Sequence, residues 1–183
     1  MYVMKAIIII LVCSVFGESQ QSTGIQWYAY SPTDKNFSIQ FPNKPTCATE
    51  RVDAGGSKIN LTKCLTSVSD TYFFEMKHMV YPFAIDKTSF DLMKIPLTSL
   101  YEAMDMKVTE TEVKSGNCDG VEIRANSAKT GPSTIHRLFA NGRNFYSINL
   151  TTEKSDSTFK DLHSRFLASF QVSNGCTAMR KLS

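Results

Sequence analysis

Cys47 and Cys64 stand equally far from the centre of the Gly55-Gly56 pair. A chain that turns back through two glycines makes a two-residue hairpin. Ala54 then faces Ser57, Asp53 faces Lys58, and further out Cys47 faces Cys64. Pair types alternate outward from the hydrogen-bonded closing pair, so the two cysteines fall in a non-hydrogen-bonded pair, with Cα atoms about 4.5 Å apart. That separation lies within the range a disulfide spans. The spacing therefore predicts a hairpin, its register and a covalent staple across it.

A structural disulfide needs an oxidising compartment, and the N-terminus reads as the means of reaching one. Lys5 is the only charge among the first seventeen residues, Ala6 to Phe16 form an apolar run, and the small residues Gly17 and Ser19 follow. That order is the n-, h- and c-region of a secretory signal peptide. The run is shorter than the roughly 20 residues a membrane-spanning helix needs. Cleavage after Ser19 leaves Gln20 as the new terminus, so residues 1–19 are read as the signal and 20–183 as one domain that is periplasmic or secreted. Cys13 leaves with the signal. Cys118 and Cys176 then pair by elimination, the alternative being free buried thiols. A metal site is a poor reading, because no close Cys-x-x-Cys spacing or adjacent histidine occurs.

Twelve Phe, seven Tyr and one Trp argue for a packed core rather than disorder. The formal charge of +3 is scattered, and only Arg180-Lys181 and the Arg137/Arg143 pair approach a cluster. A nucleic-acid binder shows a basic stripe with interleaved aromatics, and this chain does not. Nucleic acid is therefore excluded as a partner, and no further membrane-spanning segment is expected.

The pattern along the chain predicts strands over Trp27 to Ser31, Phe37 to Phe41, Thr46 to Asp53, Lys58 to Val68 and Thr71 to Tyr81. Thr88 or Ser89 caps a helical turn through Phe90, Leu92 and Met93, and Pro96 breaks it or begins a second helix. Strands follow over Met106 to Lys114 and Gly120 to Ala128, then over Thr134 to Ala140 and Arg143 to Thr152 around Asn141-Gly142. Phe159, Leu162, Phe166 and Phe170 give a terminal helix one apolar stripe, stopped at Asn174-Gly175. Both faces of the Asn141-Gly142 hairpin are partly apolar, as in a sheet covered on both sides. The fold class expected is α+β: an antiparallel sheet with helices packed on it.

The block Trp27-Tyr28-Ala29-Tyr30-Ser31-Pro32, followed by Phe37-Ser38-Ile39-Gln40-Phe41-Pro42-Asn43-Lys44-Pro45, resembles a recurring pattern. It is similar to that of exported bacterial proteins of unknown function whose fold resembles the PsbP/Mog1-like α/β/α sandwich. The signal with Gln20 just beyond it resembles exported proteins of the Bacteroidetes. PsbP proteins assist photosystem II and Mog1 proteins bind a small GTPase, but no residues here match a motif for either role. The cysteines are not part of the pattern.

Three histidines are available for chemistry: His78, His136 and His163. His78 falls on the apolar face of its strand, and His163 borders the stripe of the last helix. His136 aligns with Ser147, beside Thr134 and Asn149, as a polar patch that an ordinary exposed sheet face also contains. Glu110, Glu112, Glu122 and Asp119 lie on neighbouring strands, where alternating charge marks a solvated face. No nucleophile elbow, zinc-protease motif, phosphate loop or dinucleotide fingerprint occurs. No catalytic residue, metal or cofactor is therefore assigned. Asn36, Asn60 and Asn149 stand in sequons, which matter only in a eukaryotic source. The leading expectation is a non-enzymatic exported module that binds a protein or small ligand. The competing ones are a hydrolase-type enzyme with dispersed residues and a structural component of the envelope.

Overall fold

The computed structural model describes residues 25–54, 56–127, 131–153, 157–173 and 176. The signal at 1–19, Gly55, Asn174-Gly175 and the side chain of Phe159 lie outside the described residues. Ten strands and two helices are described: β1 (Tyr28–Tyr30), β2 (Phe37–Phe41), β3 (Thr46–Ala54), β4 (Ser57–Val68), β5 (Tyr72–Val80), α1 (Lys87–Ala103), β6 (Met106–Ser115), β7 (Cys118–Ser127), β8 (Ser133–Asn141), β9 (Asn144–Thr152), α2 (Ser157–Ala168) and β10 (Gln171–Val172).

Seven strands form one antiparallel sheet in the order β3-β4-β5-β9-β8-β7-β6, and β1-β2-β10 form a second, smaller sheet. The chain builds one half of the large sheet by meander, and α1 then carries it to the far edge at β6. From there β7, β8 and β9 return until β9 pairs with β5. The expected antiparallel sheet is present, with the small three-stranded sheet packed beside it. Pro42 and Pro45 separate β2 from β3, since proline cannot donate to a ladder.

Strand alternation sorts side chains onto two faces. One face carries Phe74, Met76, Ile135, Phe139, Tyr146, Ile148 and Leu150, which pack against Phe37, Ile39 and Phe41 of β2 and Leu162, Phe166 and Phe170 of the α2 region. The other carries Val121, Ile123, Leu138, Ala140 and Phe145 beneath Phe90, Met93 and Leu97 of α1. These are called the α2 face and the α1 face below. Gly120 on β7 is open to the α2 face, and a Cβ there would stand 2.5 Å from the Leu138 carbonyl oxygen and closer still to the Phe139 ring.

The β3–β4 hairpin has the register centred on residues 55 and 56, with Cys47 opposite Cys64. Those cysteines are disulfide-bonded with Cα atoms 4.1 Å apart, and Cys118 is bonded to Cys176 at 4.7 Å. Other turns depart from expectation. The β8–β9 turn is Gly142-Arg143, so the register moves by two residues and His136 faces Asn149 while Leu138 faces Ser147. The β6–β7 turn is Gly116-Asn117, which brings Cys118 into the strand. Gly142 and Gly116 have φ of +59° and +58°, and the residues after them do not share the positive φ. A left-handed residue at the first turn position alone fits a type II′ turn.

The helices also depart. α1 is one continuous helix with Asp86 as N-cap, whose Oδ1 accepts from the Ser89 amide at 2.6 Å. Pro96 sits inside it on the exposed side. The Leu92 carbonyl that proline leaves without a donor lies on that same exposed side, where solvent can take its place. α2 ends at Ala168, before Phe170, and β10 follows it to pair with β2. Phe170 is buried from the extended segment and not from the helix.

Candidate functional site

Thr134, His136, Ser147 and Asn149 all fall on the α1 face, because a two-residue change of register preserves the face. They are joined there by Thr151 of β9 and by Glu75 and Lys77 of β5. The Thr134 hydroxyl donates to Asn149 Oδ1 at 2.9 Å and lies 2.9 Å from the Thr151 hydroxyl. Glu75 is held by Lys77 at 2.9 Å and Lys63 at 3.1 Å. Burial alone would raise its pKa, but the two ammonium groups outweigh it and hold the carboxylate below its ordinary value.

This patch is not an exposed sheet face. His136 is 6 % exposed, and Thr134 and Ser147 are also buried. Tyr101 of α1 reaches down to it, with its hydroxyl 2.5 Å from His136 Nε2. His136 Nδ1 is buried and has no hydrogen-bond partner among the described residues. Desolvation therefore holds the imidazole neutral, with its pKa lowered to about 4, and the nearby Lys77 acts in the same direction against Glu75. An imidazolium would need acceptors at both nitrogens, and the Nδ1 side offers none. The sequence did not pair Tyr101 with His136. The available signal was its place four residues after Leu97 on the inward side of a continuous helix.

The other histidines are held by different groups. His78 Nε2 is 2.8 Å from Asn144 Oδ1, and its ring stacks on Tyr146 at 5.0 Å. His163 Nε2 is 3.5 Å from Arg124 Nη2. Burial lowers both pKa values, with Asn144 opposing at His78 and Arg124 assisting at His163. Burial raises the pKa of Tyr146 to about 12, and its hydroxyl has no partner.

The four acidic residues separate. Glu122 is buried on the α2 face, held by Arg124 at 2.6 Å and Arg137 at 2.7 Å, and Arg137 also donates to the Leu167 carbonyl at the end of α2. It is a packed ion-pair hub, which corrects the expectation of a solvated strand face. Glu110, Glu112 and Asp119 instead line a cleft of about 770 Å³ between α1 and the β6–β7 hairpin. Lys94 meets Glu110 there at 2.5 Å, Lys87 meets Asp91 at 2.6 Å, and Lys114 meets Asp119 at 3.3 Å. β6 ends the sheet, so its outer edge has no partner strand among the described residues, and Glu110 to Lys114 of that strand line the cleft.

Among the described residues no group of three or more His, Cys, Asp or Glu converges as a metal site, and no helix is long and apolar enough to cross a membrane. Of the sequon asparagines, Asn60 is exposed on β4, whereas Asn149 accepts from Thr134 and Asn36 donates to Asp34 at 3.0 Å.

No family profile matches the chain, and no curated protein matches it in sequence. The likeness is to solved structures. The solution structure of cyanobacterial PsbP (CyanoP) from Synechocystis sp. PCC 6803 aligns with a TM-score of 0.55 at 14 % identity, over 86 % of this chain and 99 % of that one. A crystal structure from Bacteroides thetaiotaomicron VPI-5482 aligns with a TM-score of 0.42 at 14 % identity, over 80 % of this chain and 48 % of that one. The two antiparallel sheets with a helix on each outer side are therefore an α+β fold, and that fold is PsbP-like.

Proposed function

We propose that this chain is an exported, non-enzymatic binding module that holds an extended segment of a partner protein in the cleft between α1 and the β6–β7 hairpin. One observation carries the reading: β6, an edge strand with no further partner among the described residues, lines a cleft of about 770 Å³ whose walls alternate in charge. An extended peptide that adds to a sheet edge takes affinity from main-chain hydrogen bonds and specificity from alternate side chains. Here Lys87, Lys94 and Lys114 stand against Asp91, Glu110, Glu112 and Asp119, a pattern suited to a segment of mixed charge. Export is supported by the order of residues 1–19 and by the two disulfides.

The hydrolase reading asks one histidine to meet an acid and a nucleophile within hydrogen-bond reach. His136 instead meets a phenol and His78 an amide.

Photo-crosslinking residues placed at Thr111 or at Ala48, on the opposite edge strand, test the proposal in the medium and envelope of the source cell. Adducts are expected from Thr111 and not from Ala48. Reversing Glu110 and Glu112 to Lys lowers the Thr111 adduct about tenfold, at about 1.4 kcal/mol per decade of affinity. Equal adducts from both edges, or a Thr111 adduct untouched by the reversal, overturn it.

A further inference from the structure

The β6–β7 hairpin fixes which backbone groups of the edge strand are free. Ser115 and Cys118 close its two-residue turn and are therefore a hydrogen-bonded pair. Pair types alternate from there. Val113 with Gly120 and Thr111 with Glu122 exchange hydrogen bonds, whereas Lys114, Glu112 and Glu110 stand in pairs that do not. The N–H and C=O groups of those three residues point away from β7. Ser127 agrees with this phase. It stands in a pair of the second kind with Met106, and its amide turns away from β6 to bond the Pro132 carbonyl at 3.2 Å.

The same three residues share a side-chain face. Glu112 is opposite Val121 and Glu110 opposite Ile123, both on the α1 face. The backbone groups that can accept another strand and the side chains that can read it thus belong to the same residues, and Glu110, Glu112 and Lys114 all line the cleft.

Their charges are not equivalent. Lys94 of α1 holds Glu110 at 2.5 Å, and Lys87 holds Asp91 at 2.6 Å. Lys114 lies 3.3 Å from Asp119, and both are exposed. Four carboxylates therefore meet three ammonium groups across the cleft. Glu112 is the carboxylate left over, exposed and without an ion pair among the described residues. On the other face of β6, Val113 is half-buried against the aromatic core and Thr111 is exposed.

We infer that the cleft selects an extended segment that adds antiparallel to β6 and carries a lysine or arginine opposite Glu112. This rests on the proposed function and names the segment that site holds. Guest residues opposite Glu110, Glu112 and Lys114 form the hydrogen-bonded pairs and turn their side chains into the cleft. Chain direction then sets their order. From its N-terminal end the segment meets Lys114, two residues later Glu112, and after two more Glu110. An acidic residue suits Lys114, whose bond to Asp119 is the longest of the three ion pairs. A basic residue suits Glu112. An uncharged one suits Glu110, because Lys94 already balances it and either charge would stand beside its like. Opposite Val113 an apolar residue extends the buried surface. The favoured segment therefore reads acidic, apolar, basic, polar, uncharged. Opposite charges directly across a strand pair stabilise it and like charges destabilise it, so selection turns on the sign at the central position.

Three peptides test the inference: Ser-Thr-Asp-Val-Lys-Thr-Val-Thr-Ser and its two relatives with Gln or Glu in place of Lys. Each is titrated into the isotope-labelled, disulfide-bonded mature chain and followed by the amide resonances. Shifts and slowed hydrogen exchange are expected at Glu110, Glu112 and Lys114. The Lys peptide should bind about tenfold tighter than the Glu peptide, with Gln between. Glu112→Lys should invert that order while the circular dichroism and melting temperature stay those of the wild type. Equal affinities, or an order that Glu112→Lys leaves in place, overturn the inference, and the amide shifts would still support strand addition at β6. No shift at those amides with any of the three peptides overturns the inference and the proposed function together.

Discussion

His136 makes the buried polar layer measurable through pH. In the unfolded chain its imidazole has the ordinary pKa of 6.5, and in the folded chain about 4. As pH falls below 6.5 the unfolded state takes up a proton that the native state refuses, so stability is complete above 6.5 and is lost toward pH 4. At about 1.4 kcal/mol per pH unit, the gap amounts to about 3 kcal/mol from this one side chain. Glu75 and Glu122 are both held below their ordinary 4.5, so their contributions are lost only at lower pH. The window between 4.5 and 6.5 therefore belongs to the histidines. His78 and His163 contribute with the same sign, and His136→Gln separates the third. Glutamine keeps an acceptor for the Tyr101 hydroxyl but does not titrate. Urea unfolding across that window should give the wild type a slope steeper by about 1.4 kcal/mol per pH unit than His136→Gln, at pH values between the two pKa limits. Equal slopes, or a His136 ring resonance titrating near 6.5, would refute the buried neutral imidazole.

Pro96→Ala supplies the amide that α1 lacks, and in the middle of a helix that exchange is worth up to about 3 kcal/mol. The variant should unfold at higher urea, and an unchanged or lower midpoint would mean that the proline ring is used in packing. The disulfides close loops of different length, with sequence separations of 17 and 58. In the chain-entropy account, replacing Cys118 and Cys176 with Ser costs about 4 kcal/mol and replacing Cys47 and Cys64 about 3, read from urea midpoints. A larger loss from the hairpin pair would show that its native strands are held apart without the bond.

How much the sequence disclosed depended on what kind of constraint each segment carried. Gly55-Gly56 had the two cysteines to fix its register, and the register observed is centred on those glycines. Asn141-Gly142 had only propensity behind it. The left-handed residue belongs at the first turn position, so the turn moved one step to Gly142-Arg143 and every partner moved by two. The sheet's two-residue period absorbed that error, and Thr134, His136, Ser147 and Asn149 still share a face. What lay over that face was not legible. Pro96 reads as a helix break in one dimension. In three dimensions it is at the solvent side of a helix held by Phe90, Leu97 and Tyr101 beneath it. Once the helix is continuous, Tyr101 falls above His136 and the patch becomes buried. The salt bridges of Glu122 were hidden for a similar reason: Arg124 is two residues away, but Arg137 arrives from the neighbouring strand.

The same helix explains why one face of the large sheet is left partly uncovered and the other is not. β2, β10 and α2 close the α2 face over its aromatic core. α1 alone covers the opposite face, and a helix about 10 Å across cannot span seven strands about 4.8 Å apart. Uncovered sheet must remain beside it. Because α1 packs most closely against β6, over Val121, Ile123 and Leu138, the uncovered part is divided unequally. On the β6 side the remaining space is the cleft of about 770 Å³ lined by ion pairs, and an apolar side chain placed there would strip water from charges without replacing their partners. On the β4–β5 side it is a depression of about 400 Å³, where Leu65 and Phe73 lie beside Glu75 and Asn149. The two spaces therefore differ in lining, one of ion pairs and one of mixed apolar and polar side chains, and α1 is the wall between them.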